Sequence, residues 1–304
     1  IAAQAKLAEF HGDGFAINWT KNSPVNSTIN YLALGGVDLT DVKVGSFKAN
    51  NVTGEQIVSD VGFEPDFLMF MHAHRATEAG KAPHAYMSYG FAKSSTERAA
   101  IAVTSVDAEP VSDTHRLQRT DRAILSLAPG SGTIDAEADF VSMNSDGFSI
   151  DWIDPPKNKD PVYYLALRGG NYDVGSFDSP IIEVPQSITG VGFEPKGVLL
   201  TSYGRSASLS VQNDNRISLG VAHASGDGNE QAIWTVDRDT ADTTITARSS
   251  VTTQVIRFAT ENTNGTASII RVEADLQSFD PDGFTVNWTE NDFISKQIIY
   301  VVFG

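Results

Sequence analysis

The sequence predicts an all-β protein built from tandem antiparallel β-sandwich units, and three observations predict it. The first is an internal repeat whose two full copies are offset by 130 residues. The second is a period-two alternation of apolar and polar residues inside the repeated segments, the signature of a half-buried strand. The third is punctuation of many short apolar runs by Gly, Asn, Asp and Pro, with 25 Gly and 12 Pro in 304 residues. Turn residues at that density leave room for strands and little room for helices.

The elements follow in chain order. Asp13-Gly14-Phe15-Ala16-Ile17-Asn18-Trp19 is followed by Tyr31-Leu32-Ala33-Leu34-Gly35-Gly36. The pair recurs as Asp146-Gly147-Phe148-Ser149-Ile150-Asp151-Trp152 with Tyr164-Leu165-Ala166-Leu167-Arg168-Gly169-Gly170. It recurs again as Asp282-Gly283-Phe284-Thr285-Val286-Asn287-Trp288 with Tyr300-Val301-Val302-Phe303-Gly304. Val44-Gly45-Ser46-Phe47 and Val61-Gly62-Phe63-Glu64-Pro65 occur twice, matching Val174-Gly175-Ser176-Phe177 and Val191-Gly192-Phe193-Glu194-Pro195. Arg75 and Arg205 keep the same offset, as do Ser88, Gly90 and Ala92 with Ser218, Gly220 and Ala222. Residues 41–171 and 172–304 therefore read as two repeat units. Residues 1–40 read as the closing strands of a truncated preceding unit, which implies a chain extending upstream or a processing point at Ile1. The connectors between units are short enough to hold neighbours in a near-fixed orientation.

Within a unit, Phe67-Leu68-Met69-Phe70-Met71 and Val198-Leu199-Leu200 are continuous apolar runs, expected of strands covered on both faces. Pro65 and Pro195 precede them, where a missing N–H does least harm. Phe148, Ile150 and Trp152 share one strand face, as do Phe284, Val286 and Trp288. The Ala274–Phe279 stretch followed by Asp282-Gly283 reads as a hairpin whose Gly supplies the turn. Ser95–Ala102 alone hints at a helix. A sandwich of this size is expected to hold seven or eight strands.

Composition narrows the function. The formal charge of −16 and pI near 4.6 oppose phosphate backbones, so nucleic acid is not an expected partner. The absence of cysteine excludes disulfides, thiol catalysis and Cys-based zinc sites. No apolar run approaches the roughly 18 residues of a membrane-spanning helix, so membrane insertion is not expected.

The candidate chemistry is sparse. Trp19, Trp152 and Trp288 could stack on sugar rings, but their alternation with Phe and Ile assigns them to the core. Asp13, Asp146 and Asp282 could ligate calcium, but each precedes Gly in a turn that favours Asp, and no EF-hand spacing accompanies them. His72 and His74 share a strand face with His84 nearby, a spacing that can serve zinc. Their counterparts are Ser202, Gly204 and Asp214, so the trio is no part of the common scaffold, and no metal site is assigned. Arg75 and Arg205 are read as structural ion-pair partners. No nucleophile elbow or phosphate-binding loop occurs. The reading is non-enzymatic, with no catalytic residue and no cofactor.

The set Gly-Phe-Glu-Pro (62–65), Asp-Gly-Phe-x-Ile-Asn-Trp (13–19) and Tyr-Leu-Ala-Leu-Gly-Gly (31–36) resembles a repeat of tailed-bacteriophage and prophage structural proteins. There it belongs to head-decorating or tail-associated β-rich modules. The element order is more loosely similar to the H-type lectin sandwich, none of whose sugar-contacting residues matches a position here. The resemblance implies jelly-roll or lectin-like sandwiches and a virion structural protein coating or extending a capsid or tail. Its partners would be other virion proteins and copies of itself in a homo-oligomer, with the chain on the surface of the extracellular particle. The alternative is a carbohydrate-binding, receptor-recognition module contacting a host-surface glycan, expected to expose unrepeated aromatics such as Trp234, Tyr203 or Tyr172.

Overall fold

A computed structural model describes residues 3–26, 28–74, 83–107, 109–239, 246–260 and 269–304, among which no residue is helical. The fold is all-β, with every strand pairing antiparallel. The chain divides into two compact units, the first ending at Tyr31 and the second beginning at Leu32.

The first unit is a hairpin of β1 (Gln4–His11) and β2 (Gly14–Lys21), with Phe15 packed edge-on against Tyr31. A two-stranded sheet has no second layer to close a core. Trp19 is accordingly 42% exposed, which corrects its assignment to a core.

The second unit holds two sandwiches. The first comprises β3 (Asp41–Lys48), β4 (Gly54–Val58), β5 (Phe67–His72), β6 (Ala85–Ala92) and β7 (Arg98–Ser105). It continues with β8 (Thr114–Arg119), β9 (Ile124–Leu127), β10 (Ile134–Asn144), β11 (Gly147–Asp154) and β12 (Pro161–Arg168). The second comprises β13 (Tyr172–Asp178), β14 (Pro185–Thr189), β15 (Gly197–Ser202), the short β16 (Gln212–Asn213), β17 (Asn215–Ala222) and β18 (Glu230–Asp237). It is completed by β19 (Thr246–Val251), β20 (Ile256–Thr260), β21 (Ile269–Asp280), β22 (Gly283–Glu290) and β23 (Gln297–Phe303).

The topologies are the same. Six strands run β8-β7-β6-β5-β12-β3 in one and β19-β18-β17-β15-β23-β13 in the other. Four strands run β4-β11-β10-β9 and β14-β22-β21-β20. Strand β16 crosses over to pair with β8, extending the first six-stranded sheet to seven. Among the described residues each sandwich thus has ten strands of its own, more than the seven or eight expected. The suspected helix at Ser95–Ala102 is a tight turn at Ser94–Glu97 running into β7. Pairing with both β6 and β8 makes β7 a central strand, and apolar clusters on either side of the sheet bury Ala99–Val103, which a surface helix would leave partly exposed.

Alternation along β5 explains the stacking. Leu68 and Phe70 face the four-stranded sheet and meet Phe148, Ile150 and Trp152 in the first core. Phe67 points the other way, into an apolar layer between the two six-stranded sheets, where Phe91 and Leu167 meet Tyr172, Leu199 and Val301. The Tyr172 ring stacks on Phe67 with centroids 5.2 Å apart. The apolar runs are therefore central strands covered on both faces over 67–70 and 198–200, as their composition predicts, while Met71 at the end of the first run is 39% exposed.

The repeated motifs are packing devices. Gly45 and Gly175 seat the rings of Tyr164 and Tyr300, which pair with them across the strands. A Cβ on either glycine would fall 2.4 Å from the tyrosine hydroxyl oxygen. Gly147 and Gly283, at φ +151° and +149°, lie under the carbonyls of Val58 and Ile188, where a Cβ would stand 2.0 and 1.9 Å from oxygen. Trp152 and Trp288 are buried, and their indole N–H groups donate to Gln56 and Gln186 at 2.7 and 3.0 Å.

Candidate metal centre

Alternation on β5 carries one step past Phe70 and turns His72 into the space between the two sheets of the first sandwich. His72 ends β5, and Asp160 immediately precedes β12, its antiparallel neighbour, so the two meet at one end of the sandwich. Asp135 at the start of β10 and Ser126 near the end of β9 reach the same end from the opposite sheet. His74, two residues beyond His72 and with φ at +44°, turns its ring toward them. Donor atoms of His72, His74 and Asp160 all lie within 4.8 Å of one another.

His74 Nδ1 stands 3.3 Å from Asp160 Oδ2, 3.3 Å from Asp135 Oδ2 and 3.2 Å from Ser126 Oγ. A single ring nitrogen carries at most one hydrogen and cannot satisfy three oxygens. His72 is 5% exposed, and neither ring nitrogen has a hydrogen-bond partner among the described residues. Asp160 is 1% exposed, and its Oδ1 is likewise without one. Burial, reinforced by His74, pushes the His72 imidazole down to about 4 and keeps it neutral. Burial also raises the Asp160 carboxyl, helped by Asp135 and opposed by His74. The Tyr86 ring lies 5.4 Å from that of His74, and burial with the charges of Asp135 and Asp113 lifts its hydroxyl to about 12.

The second sandwich supplies an internal control. Strand register places Ser202 at the position of His72, Gly204 at that of His74 and Lys296 at that of Asp160. Phe258 and Arg271 stand for Ser126 and Asp135. There the polar groups are satisfied. Ser202 Oγ donates to the Gln297 carbonyl at 2.6 Å and accepts from the Gly204 N–H at 3.0 Å. The buried Lys296 ammonium donates to Asp292 and, at 2.8 Å, to the Ile294 carbonyl. Phe258 lies where a Gly204 side chain would otherwise extend.

Other residues singled out in the sequence lie elsewhere. His84 accepts the Asp107 N–H through Nδ1 at 3.0 Å and does not join the cluster. Asp146 and Asp282 do more than favour a turn: each carboxylate clamps a neighbouring loop. Asp146 accepts the N–H groups of Asp60 and Gly62 at 3.2 and 2.7 Å, and Asp282 those of Gly190 and Gly192 at 3.0 and 2.6 Å. Arg205 is exposed with no carboxylate partner among the described residues, so the ion-pair reading does not hold for it; Arg75 lies outside them. Trp234, Tyr203 and Tyr172, the aromatics expected to be exposed, are all buried. Tyr172 and Tyr203 pack between the sandwiches, and Trp234 packs on Val236 and Ala259.

Asp135 and Asp160 gave no sequence signal as partners of His72, since Asp160 is 88 positions downstream. A usable signal was the Asp160/Lys296 exchange between copies at the foot of equivalent strands. The chain matches no protein-family model and no curated protein.

Proposed function

We propose that this chain is a non-enzymatic structural protein of a virus particle, its tandem sandwiches coating or extending a capsid or tail. The observation that carries the reading is the apolar layer between the two six-stranded sheets, which welds two repeat units into one body. A protein that works by presenting surfaces to neighbours needs units that do not swing against each other. The repeat motifs resemble those of phage structural modules, and each resolves into a packing device that serves the scaffold.

A difference between the copies points to where a neighbour would sit. Tyr172 and Val174 on β13 are buried against the other sandwich, whereas their counterparts Val42 and Val44 on β3 are 55% and 71% exposed. Strand β3 is also a sheet edge, open to backbone pairing. Partners would therefore be other particle proteins and further copies of this chain. Trp234, Tyr203 and Tyr172 are buried and offer a glycan no platform, whereas Trp19 and Tyr31 are exposed.

The test is quantitative mass spectrometry of purified particles from the source. Hundreds of copies per particle support a coat or tube component, and a handful a tail tip or fibre. Absence of the chain from particles overturns the reading.

A further inference from the structure

We propose that His72, His74 and Asp160 form a binding site for one divalent transition metal, Zn²⁺ by preference, that fastens one end of the first sandwich. The donor set is two imidazoles and a carboxylate, with the Asp135 carboxylate beside it. Nitrogen and oxygen donors in this mixture suit zinc better than the all-oxygen shells of calcium or magnesium.

The distances agree. Ligands about 2.0–2.1 Å from a tetrahedral zinc stand about 3.3 Å from one another. His74 Nδ1 already lies 3.3 Å from both Asp160 Oδ2 and Asp135 Oδ2. A cation among them would replace contacts that a single imidazole hydrogen cannot make. It would also engage one of the two otherwise unmatched nitrogens of His72, whose burial without a partner is costly. Two carboxylates carry the charge that a divalent ion neutralises.

The site joins both sheets of the sandwich. His72 and Asp160 belong to the six-stranded sheet and Asp135 to the four-stranded one. The second sandwich fills the same place with Lys296 and Phe258, so it needs no ion, and the predicted stoichiometry is one metal per chain.

The experiment uses the full chain, stripped with a chelator, dialysed against Zn²⁺ and measured by elemental analysis and calorimetric titration. One equivalent is expected. Removing it lowers the melting temperature, because a ligand bound only to the folded state stabilises that state. Co²⁺ in its place gives the visible absorption of a four- or five-coordinate ion. His72→Ser, the residue of the second copy, and the isosteric Asp160→Asn each weaken Zn²⁺ binding by at least about 100-fold. His84→Ala leaves binding unchanged. Far-UV circular dichroism confirms that each variant is folded. A wild-type chain that retains no Zn²⁺ and gives no Co²⁺ spectrum overturns the proposal. So does an equivalent retained undiminished by folded His72→Ser and Asp160→Asn proteins.

Discussion

At the scale of single residues, the two copies show what one substitution does to a shared position. Register places Glu230 of the second sandwich where the first has Arg98, and Asp275 where the first has Asp139. Arg98 and Asp139 form a two-point ion pair. Glu230, nearly fully buried, instead accepts the Leu276 N–H at 2.8 Å. Burial drives its carboxyl up to about 7, with Asp275 and Asp227 adding to the rise. A raised carboxyl stabilises the fold while protonated: the contribution is whole below about 4.5 and is lost as pH climbs through about 7. Urea midpoints are therefore expected to fall between pH 5 and pH 8, with Glu230 accounting for about 3 kcal/mol of the loss. Glu230→Gln flattens that part of the profile. An unchanged slope in the variant would place the dependence elsewhere.

At the scale of elements, the aspartate that opens each β11-type strand acts as a clamp between two loops. Asp146 and Asp282 each accept two backbone N–H groups from the segment leading into the Gly-Phe-Glu-Pro turn. Replacing either with Ala is expected to cost about 1 kcal/mol, read from thermal or urea denaturation, because two exposed backbone donors exchange a charged acceptor for water. Asp13→Ala, in the hairpin of β1 and β2, changes neither midpoint. Strand identity was legible in the sequence wherever alternation was strong, as at 148–152 and 284–288. It was obscured at Ser95–Ala102, where a strand buried on both faces shows no alternation. The candidate metal centre was half legible: the spacing of His72 and His74 brings both to the end of β5, although the strand stops at His72 and a positive φ at His74, not a shared strand face, aims the second ring. Its other half depends on a pairing of β5 with β12 that no local pattern encodes.

For the whole molecule, the governing feature is the layer in which Phe67, Phe91 and Leu167 meet Tyr172, Leu199 and Val301. Sandwiches sharing such a layer are expected to melt together, so scanning calorimetry of this body should show one cooperative transition. Two well-separated transitions would mean that the units are energetically independent. Leu199→Ala is expected to lower stability by about 2–4 kcal/mol through the cavity it leaves. The apolar runs in the sequence pointed to strands covered on both faces, which holds for Phe67–Phe70 and Val198–Leu200. The sequence could not show that each covers the other, because the contact runs between units whose relative pose no periodicity records.

That mutual covering also imposes an order on synthesis. The first sandwich leaves the ribosome with its outer sheet bare, and its cover is translated only over the next 130 or so residues. At common elongation rates, the apolar face stays open for roughly 7–26 seconds. During that interval, Phe67, Phe91 and Leu167 of neighbouring nascent chains on one messenger can find each other instead of Tyr172 and Leu199. Yield on expression should therefore depend on how closely ribosomes are spaced and whether a holding chaperone is at hand, even though the finished body hides the hazard completely.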